Sequence, residues 1–81
     1  MSDVEISKID AYVIRRVKEM REARGISQSE LATMLNKSNG FIGQVESPNY
    51  RAKYNISHLN SLAIILECSF ADFFPDKPFK I

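Results

Sequence analysis

The stretch Ser27-Gln28-Ser29-Glu30-Leu31-Ala32-Thr33-Met34-Leu35-Asn36-Lys37-Ser38-Asn39-Gly40-Phe41-Ile42-Gly43-Gln44-Val45-Glu46 decides the fold. Ser27 and Glu30 have the spacing of a capping box, in which the serine hydroxyl accepts from the backbone N–H three residues on and the glutamate reaches back. A helix therefore starts here, and Leu31, Ala32 and Leu35 recur on one inward face. Asn36 is a stop signal, because asparagine tolerates the left-handed conformation that closes helices. Ser38 is a good N-cap, so a second short helix is predicted over 38–46. Ile42 and Val45 share its inner face with Phe41 beside them, while Asn39, Gly40, Gly43 and Gln44 fall on the other side. Two glycines in so short a helix cost about 1 kcal/mol each relative to alanine. Tertiary packing has to hold this helix, and glycine permits close approach to a surface.

Outward from this pair, Ser7 to Arg24 carries Ile9, Val13, Val17 and Met20 at helical spacing, with Gly25 as the residue that closes the helix. On the other side, Ser47-Pro48-Asn49-Tyr50 opens a loop through Asn55 that holds Arg51 and Lys53 between Tyr50 and Tyr54. Ser57 reads as the cap of a fourth helix with Leu59, Leu62, Ala63 and Leu66 inward, and Cys68 at its end as a small buried hydrophobe. Ser69-Phe70-Ala71-Asp72 resembles a second capping box. It starts a short fifth helix through Phe73 and Phe74 that Pro75 stops, and residues 76–81 form an extended tail. No stretch alternates apolar and polar residues for long, so the expected class is all-α.

A chain of 81 residues is one domain with a small stability margin. Hydrophobic residues make up 44% and charged residues 26%, as in an ordinary globular protein. The longest apolar run, Leu62 to Leu66, is far short of the ~18 residues of a membrane span. Asp3 and Glu5 at an N-terminus without an apolar run speak against a signal peptide, and the cytoplasm is the expected compartment. One cysteine excludes an internal disulfide. His58 is the only histidine, and its place at a helix start reads as a surface position. No paired carboxylates, glycine-rich phosphate loop or zinc-ligand spacing is present. The expectation is therefore no enzyme, no metal, no cofactor and no small-molecule ligand. The net charge is +1. The acids Asp3, Glu5, Asp10, Glu67, Asp72 and Asp76 gather toward the ends. Between them lie Arg15, Arg16, Lys18, Arg21, Arg24, Lys37, Arg51 and Lys53, diluted by Glu19, Glu22, Glu30 and Glu46. Folding can therefore make one face basic in a chain that is nearly neutral overall.

Two short helices joined by a turn of about three or four residues are the core of a helix-turn-helix. The first helix crosses the phosphate backbone and the second enters the major groove. Arg21-Glu22-Ala23-Arg24-Gly25-Ile26-Ser27-Gln28-Ser29-Glu30-Leu31-Ala32 resembles the opening of the Cro and phage-repressor type, the XRE family. Ser38 to Glu46 resembles its recognition helix. Leu62-Ala63 through Leu66, then Phe73-Phe74-Pro75, resemble its fourth and fifth helices. The resemblance runs from Ile14 to Pro75. It divides the chain into an N-terminal extension with the start of helix 1 (1–13), the domain proper (14–75) and a C-terminal tail (76–81). It implies a five-helix, lambda-repressor-like DNA-binding domain and a transcriptional regulator, a repressor, that binds palindromic double-stranded DNA as a homodimer. It further implies that Gln28 contacts a phosphate, and that Arg21 and Glu46 form a partly buried ion pair that fixes orientation. The chain departs from the family at Asn36, where glycine is usual, and at Ser47-Pro48, where a basic or amide residue and then glycine are usual. Its following loop is long and bears two tyrosines.

Chemistry assigns the remaining roles. The amides of Gln44 and Asn39 match adenine N6/N7 in bidentate fashion. Gly40 offers only backbone and space. Phe41 meets either a thymine methyl or the core beside Ile42. Lys37 and Ser38 fall at the positive end of the expected recognition helix, where phosphate binding is favoured. Ser47, Arg51 and Lys53 are further candidates for the DNA backbone. The alternative is a protein-interaction module, an antitoxin or adaptor, that uses the same helical face. A basic face shared by Lys37, Arg51, Gln28 and Gln44 argues for DNA, and a large exposed apolar patch there argues for protein. The C-terminal helix and the Phe79-bearing tail are the expected dimer surface.

Overall fold

The computed structural model describes residues 6–80, so the acidic N-terminal residues Asp3 and Glu5 lie outside the described part. Four α-helices and one 3₁₀ turn follow in order: α1 (Lys8–Ala23), α2 (Gln28–Met34), α3 (Phe41–Glu46), α4 (Ile56–Leu66) and the 3₁₀ turn Phe70–Phe73. No strand occurs among the described residues. The fold is all-α as expected, but the fifth helix is a single 3₁₀ turn. Its Ser69–Asp72 capping box is formed. Phe74 is extended (φ −118°, ψ 152°), because a residue that precedes proline is pushed out of the helical region. The element therefore closes before a full α turn can propagate.

Local chemistry sets most of the boundaries. The Ser7 hydroxyl accepts from the Asp10 N–H at 3.1 Å and caps α1. At its other end Gly25 takes φ +68°, with the Gly25 N–H on Glu22 O and the Ile26 N–H on Arg21 O, both at 3.0 Å. This is the paired closure that a left-handed residue permits. Asn36 (φ 60°) repeats it at the end of α2, with the Lys37 N–H on Ala32 O at 2.8 Å. The capping box of α2 is reciprocal: the Glu30 N–H donates to Ser27 Oγ at 3.0 Å and the Ser27 N–H to Glu30 Oε1 at 2.8 Å. The bond from the Ser27 N–H, with the Ser27 hydroxyl second, holds the Glu30 carboxyl below its ordinary range.

Two helix starts differ from the sequence reading. α3 begins at Phe41, with Gly40 as a cap that makes no side-chain bond. Ser38 instead heads a turn closed by the Phe41 N–H on Ser38 O at 3.0 Å. The segment 38–46 is thus six helical residues preceded by a turn, and Lys37 and Ser38 sit ahead of the helix rather than within its first turn. α4 is capped by Asn55, not Ser57. The His58 N–H donates to Asn55 Oδ1 at 2.7 Å and the Asn55 N–H to His58 Nδ1 at 3.0 Å. At the C-terminus of α4, Glu67 takes the left-handed conformation (φ 53°) that the other closures give to Gly25 and Asn36.

The core joins Val13 and Val17 of α1, Leu31, Ala32 and Leu35 at α2, Ile42 and Val45 of α3, Leu59, Leu62 and Leu66 of α4, and Phe73. Ile9 is exposed and Met20 only half-buried, so the inward stripe of α1 is narrower than its periodicity suggests. Cys68 is likewise half-buried. Arg16 Nε donates to Asp72 O at 3.0 Å and ties α1 to the 3₁₀ turn. The Tyr54 side chain comes out of the loop and into the core, where its hydroxyl is buried with no hydrogen-bond partner among the described residues. Burial raises the phenol's pKa far above its ordinary value. An unsatisfied buried hydroxyl costs about 1–3 kcal/mol. Tyr54→Phe is therefore expected to raise unfolding stability by about 1 kcal/mol, read as a higher urea midpoint. A lower midpoint would show that the hydroxyl has a partner.

Candidate nucleic-acid interface

α2 and α3 present one continuous exposed surface. Gln28 opens α2, Ser29 follows, and the Ser29 hydroxyl donates to Asn39 Oδ1 in the turn before α3. Gln28 also reaches α3: its Nε2 donates to Glu46 Oε1 at 2.9 Å. Its carbonyl oxygen lies 3.3 Å from where a Cβ on Gly43 would stand. Asn39, Gly40 and Gln44 are exposed on this surface and Gly43 is half-buried. Gln44 makes no side-chain hydrogen bond among the described residues, so both ends of its amide are available. Asn39 keeps its N–H groups and one oxygen lone pair. The surface is thus built of amides and a hydroxyl, with two positions that carry no side chain.

Beneath it lies the buried pair. Arg21 Nε donates to Glu46 Oε2 at 3.0 Å and Nη2 to Oε1 at 2.9 Å, while Nη1 donates to Ile26 O at 2.7 Å. Only 8% of the Arg21 side chain and 3% of that of Glu46 are exposed. The hydrogen bond to Glu46, opposed by burial, raises the pKa of Arg21. α1 is thereby fixed to the end of α3, and the one carboxylate of α3 is neutralised internally. A polyanion that approaches the α3 surface meets no unpaired negative charge from that helix.

Several cations are committed elsewhere. Arg16 pairs with Glu19 at 2.8 Å, Arg24 with Glu67 at 3.3 Å and Lys53 with Asp10 at 3.6 Å. Lys53 is therefore tied to the start of α1. Lys37 and Arg51 are exposed and make no salt bridge among the described residues. Ser47 closes α3, half-buried, and its Oγ accepts from the Asn49 N–H at 3.2 Å.

Phe41 is half-buried and packs against the core. Its ring lies 5.2 Å from that of His58 and 6.3 Å from that of Tyr54, and Lys37 Nζ is 5.5 Å from its centroid. His58 is accordingly half-buried rather than a free surface position. It braces the loop and α4 against the first residue of α3, a role with no local sequence signal. Burial first, and the Lys37 charge second, lower its pKa. Folding therefore favours the neutral ring, whose Nδ1 can accept from Asn55. This contribution is complete above the unfolded value of about 6.5 and is lost as pH falls through the lower folded value. The melting temperature is expected to drop between about pH 7 and pH 5, with a smaller drop in His58→Gln, which keeps an acceptor at that position but does not titrate. Equal slopes in both proteins would remove His58 as the cause.

Two short helices joined by the connection 35–40, packed through their inner faces and leaving one side of the second helix to the outside, define a helix-turn-helix module. The helix-turn-helix family model matches residues 17–73, and the chain belongs to that family, in its XRE-type branch. Two solved structures share the fold. The restriction-modification controller protein C.AhdI from Aeromonas hydrophila superposes with a TM-score of 0.68 at 23% identity, over 85% of this chain and 100% of the other. The hypothetical transcription factor NHTF from Neisseria superposes with a TM-score of 0.71 at 17% identity, over 93% of this chain and 84% of the other. No curated protein matches the chain in sequence. Among the described residues no helix is long and apolar enough to cross a membrane, and no group of three or more His, Cys, Asp or Glu residues is placed to hold a metal.

Proposed function

We propose that this protein binds double-stranded DNA sequence-specifically as a transcriptional regulator, with α3 in the major groove. The observation that carries the reading is the α2–α3 surface itself. Gln44 and Asn39 project amides there, Gly40 leaves the backbone open, and Glu46 is neutralised from within. Gln44 and Asn39 suit adenine. Gln28, Lys37, Ser38 and Arg51 supply the phosphate contacts that set register without reading sequence. Family membership and likeness to a controller protein and a transcription factor support the regulatory role. Repression is its simplest form, because a bound domain excludes other proteins from the same stretch of duplex. Selection from a random duplex library tests the reading. Enrichment of a short motif is expected, whereas weak, unselective binding abolished by salt would favour a protein target.

The domain acts as a homodimer in this reading. The support is the outward face of α4, where Ile56 is 84% and Ile64 71% exposed, with Phe70 and Phe74 exposed nearby. The Phe79 ring, by contrast, packs edge-on against Tyr12 at 5.9 Å. Ile64→Asp is expected to weaken self-association about tenfold or more in sedimentation equilibrium while the monomer stays folded. An unchanged association constant would place the dimer surface elsewhere.

A further inference from the structure

We propose that Gly43 is a positioning residue for DNA: together with Glu46 it holds the Gln28 carboxamide in a fixed pose from which Gln28 donates to a phosphate. The inference rests on the DNA-binding reading above and adds a role for a residue that touches no phosphate itself.

Gln28 is exposed at the first residue of α2, where a long side chain ordinarily samples many rotamers. Here both ends of its amide are placed. One Nε2 proton goes to Glu46 Oε1 at 2.9 Å, and that acceptor cannot swing, because the Arg21 fork holds both carboxylate oxygens. The carbonyl oxygen lies against the bare α-carbon of residue 43, 3.3 Å from the position of a Cβ, and Gln28 Cδ is 3.9 Å from it. The second Nε2 proton is left for an acceptor outside the chain. A donor held in this way loses little further freedom on binding.

A side chain at position 43 would push the carboxamide outward and stretch its bond to Glu46. Glycine is the poorer choice for helix propensity, and nothing in its backbone angle demands it, since residue 43 lies inside α3 with no positive φ. The contact with Gln28 is what the glycine serves. Stability and affinity should therefore move in opposite directions when it is replaced.

The test is a double-mutant cycle on the duplex selected by the wild-type protein, using Gly43→Ala, Gln28→Ala and the pair. Thermal melts and the Gln28 side-chain amide resonances accompany the binding data. Gly43→Ala is expected to lower affinity about fivefold with an equal or higher melting temperature and a displaced Gln28 amide signal. In the Gln28→Ala background the same substitution should cost nothing. A full loss that persists there, or a Gln28 signal that Gly43→Ala leaves in place, would overturn the proposal while DNA binding stands. If the wild-type protein selects no duplex, the DNA-binding reading itself falls.

Discussion

Replacing Arg21 by methionine is expected to lower the unfolding free energy by about 3–5 kcal/mol, because it leaves the Glu46 carboxylate buried without its partner. Glu46 loses both bonds of the fork and keeps only the one from Gln28. The Ile26 carbonyl also loses its 2.7 Å donor. Small domains have about 5–15 kcal/mol in total, so the variant should be close to unfolding at ambient temperature. Replacing both partners, as in Arg21→Met with Glu46→Leu, should cost less than either single change, since desolvation of two charges offsets most of what their attraction contributes. Urea denaturation of the four proteins measures this. A double variant as unstable as the sum of the singles would mean that Arg21 and Glu46 contribute independently and that losing their pairing is not the source of either single loss.

The second large effect concerns Gln44. Its amide is exposed on α3 and has no partner among the described residues, so truncation to alanine should leave stability nearly unchanged. Affinity for the selected duplex should fall by about 1–3 kcal/mol, the worth of a bidentate amide–adenine pair. The loss should be confined to duplexes that keep the contacted adenine. On a duplex changed at that base, Gln44→Ala and the wild-type protein should bind alike. A loss that is uniform across all duplexes would make Gln44 a backbone contact, and no loss would take α3 out of the groove.

Features written in neighbouring residues were legible in the sequence. The Ser27–Glu30 box, the closures at Gly25 and Asn36 and the Ser69–Asp72 box each need only chemistry a few residues apart. The start of α3 was not, because Ser38 has the composition of a cap but lies in a turn that delays the helix to Phe41. For α4 the sequence pointed to Ser57, whereas the cap is Asn55, whose reciprocal partner is an imidazole, rarer than Glu or Gln at that position. The left-handed Glu67 carries no side-chain signal at all. Contacts between distant positions were hidden for the same reason. Nothing local places Tyr54 and His58 against Phe41, or Gln28 over Gly43 and onto Glu46. The binding surface was therefore visible as a list of exposed amides and cations, but its internal bracing was not.

The most direct test of α3 as the reading element is a titration of the ¹⁵N-labelled protein with the selected duplex, followed residue by residue. The expected result is that the largest amide shifts fall on Gln28 and from Lys37 to Gln44, with little change at Ile56, Asn60 and Ile64 on the outer face of α4. Shifts gathered on that outer face, with α3 silent, would contradict the assignment of α3 to the DNA groove.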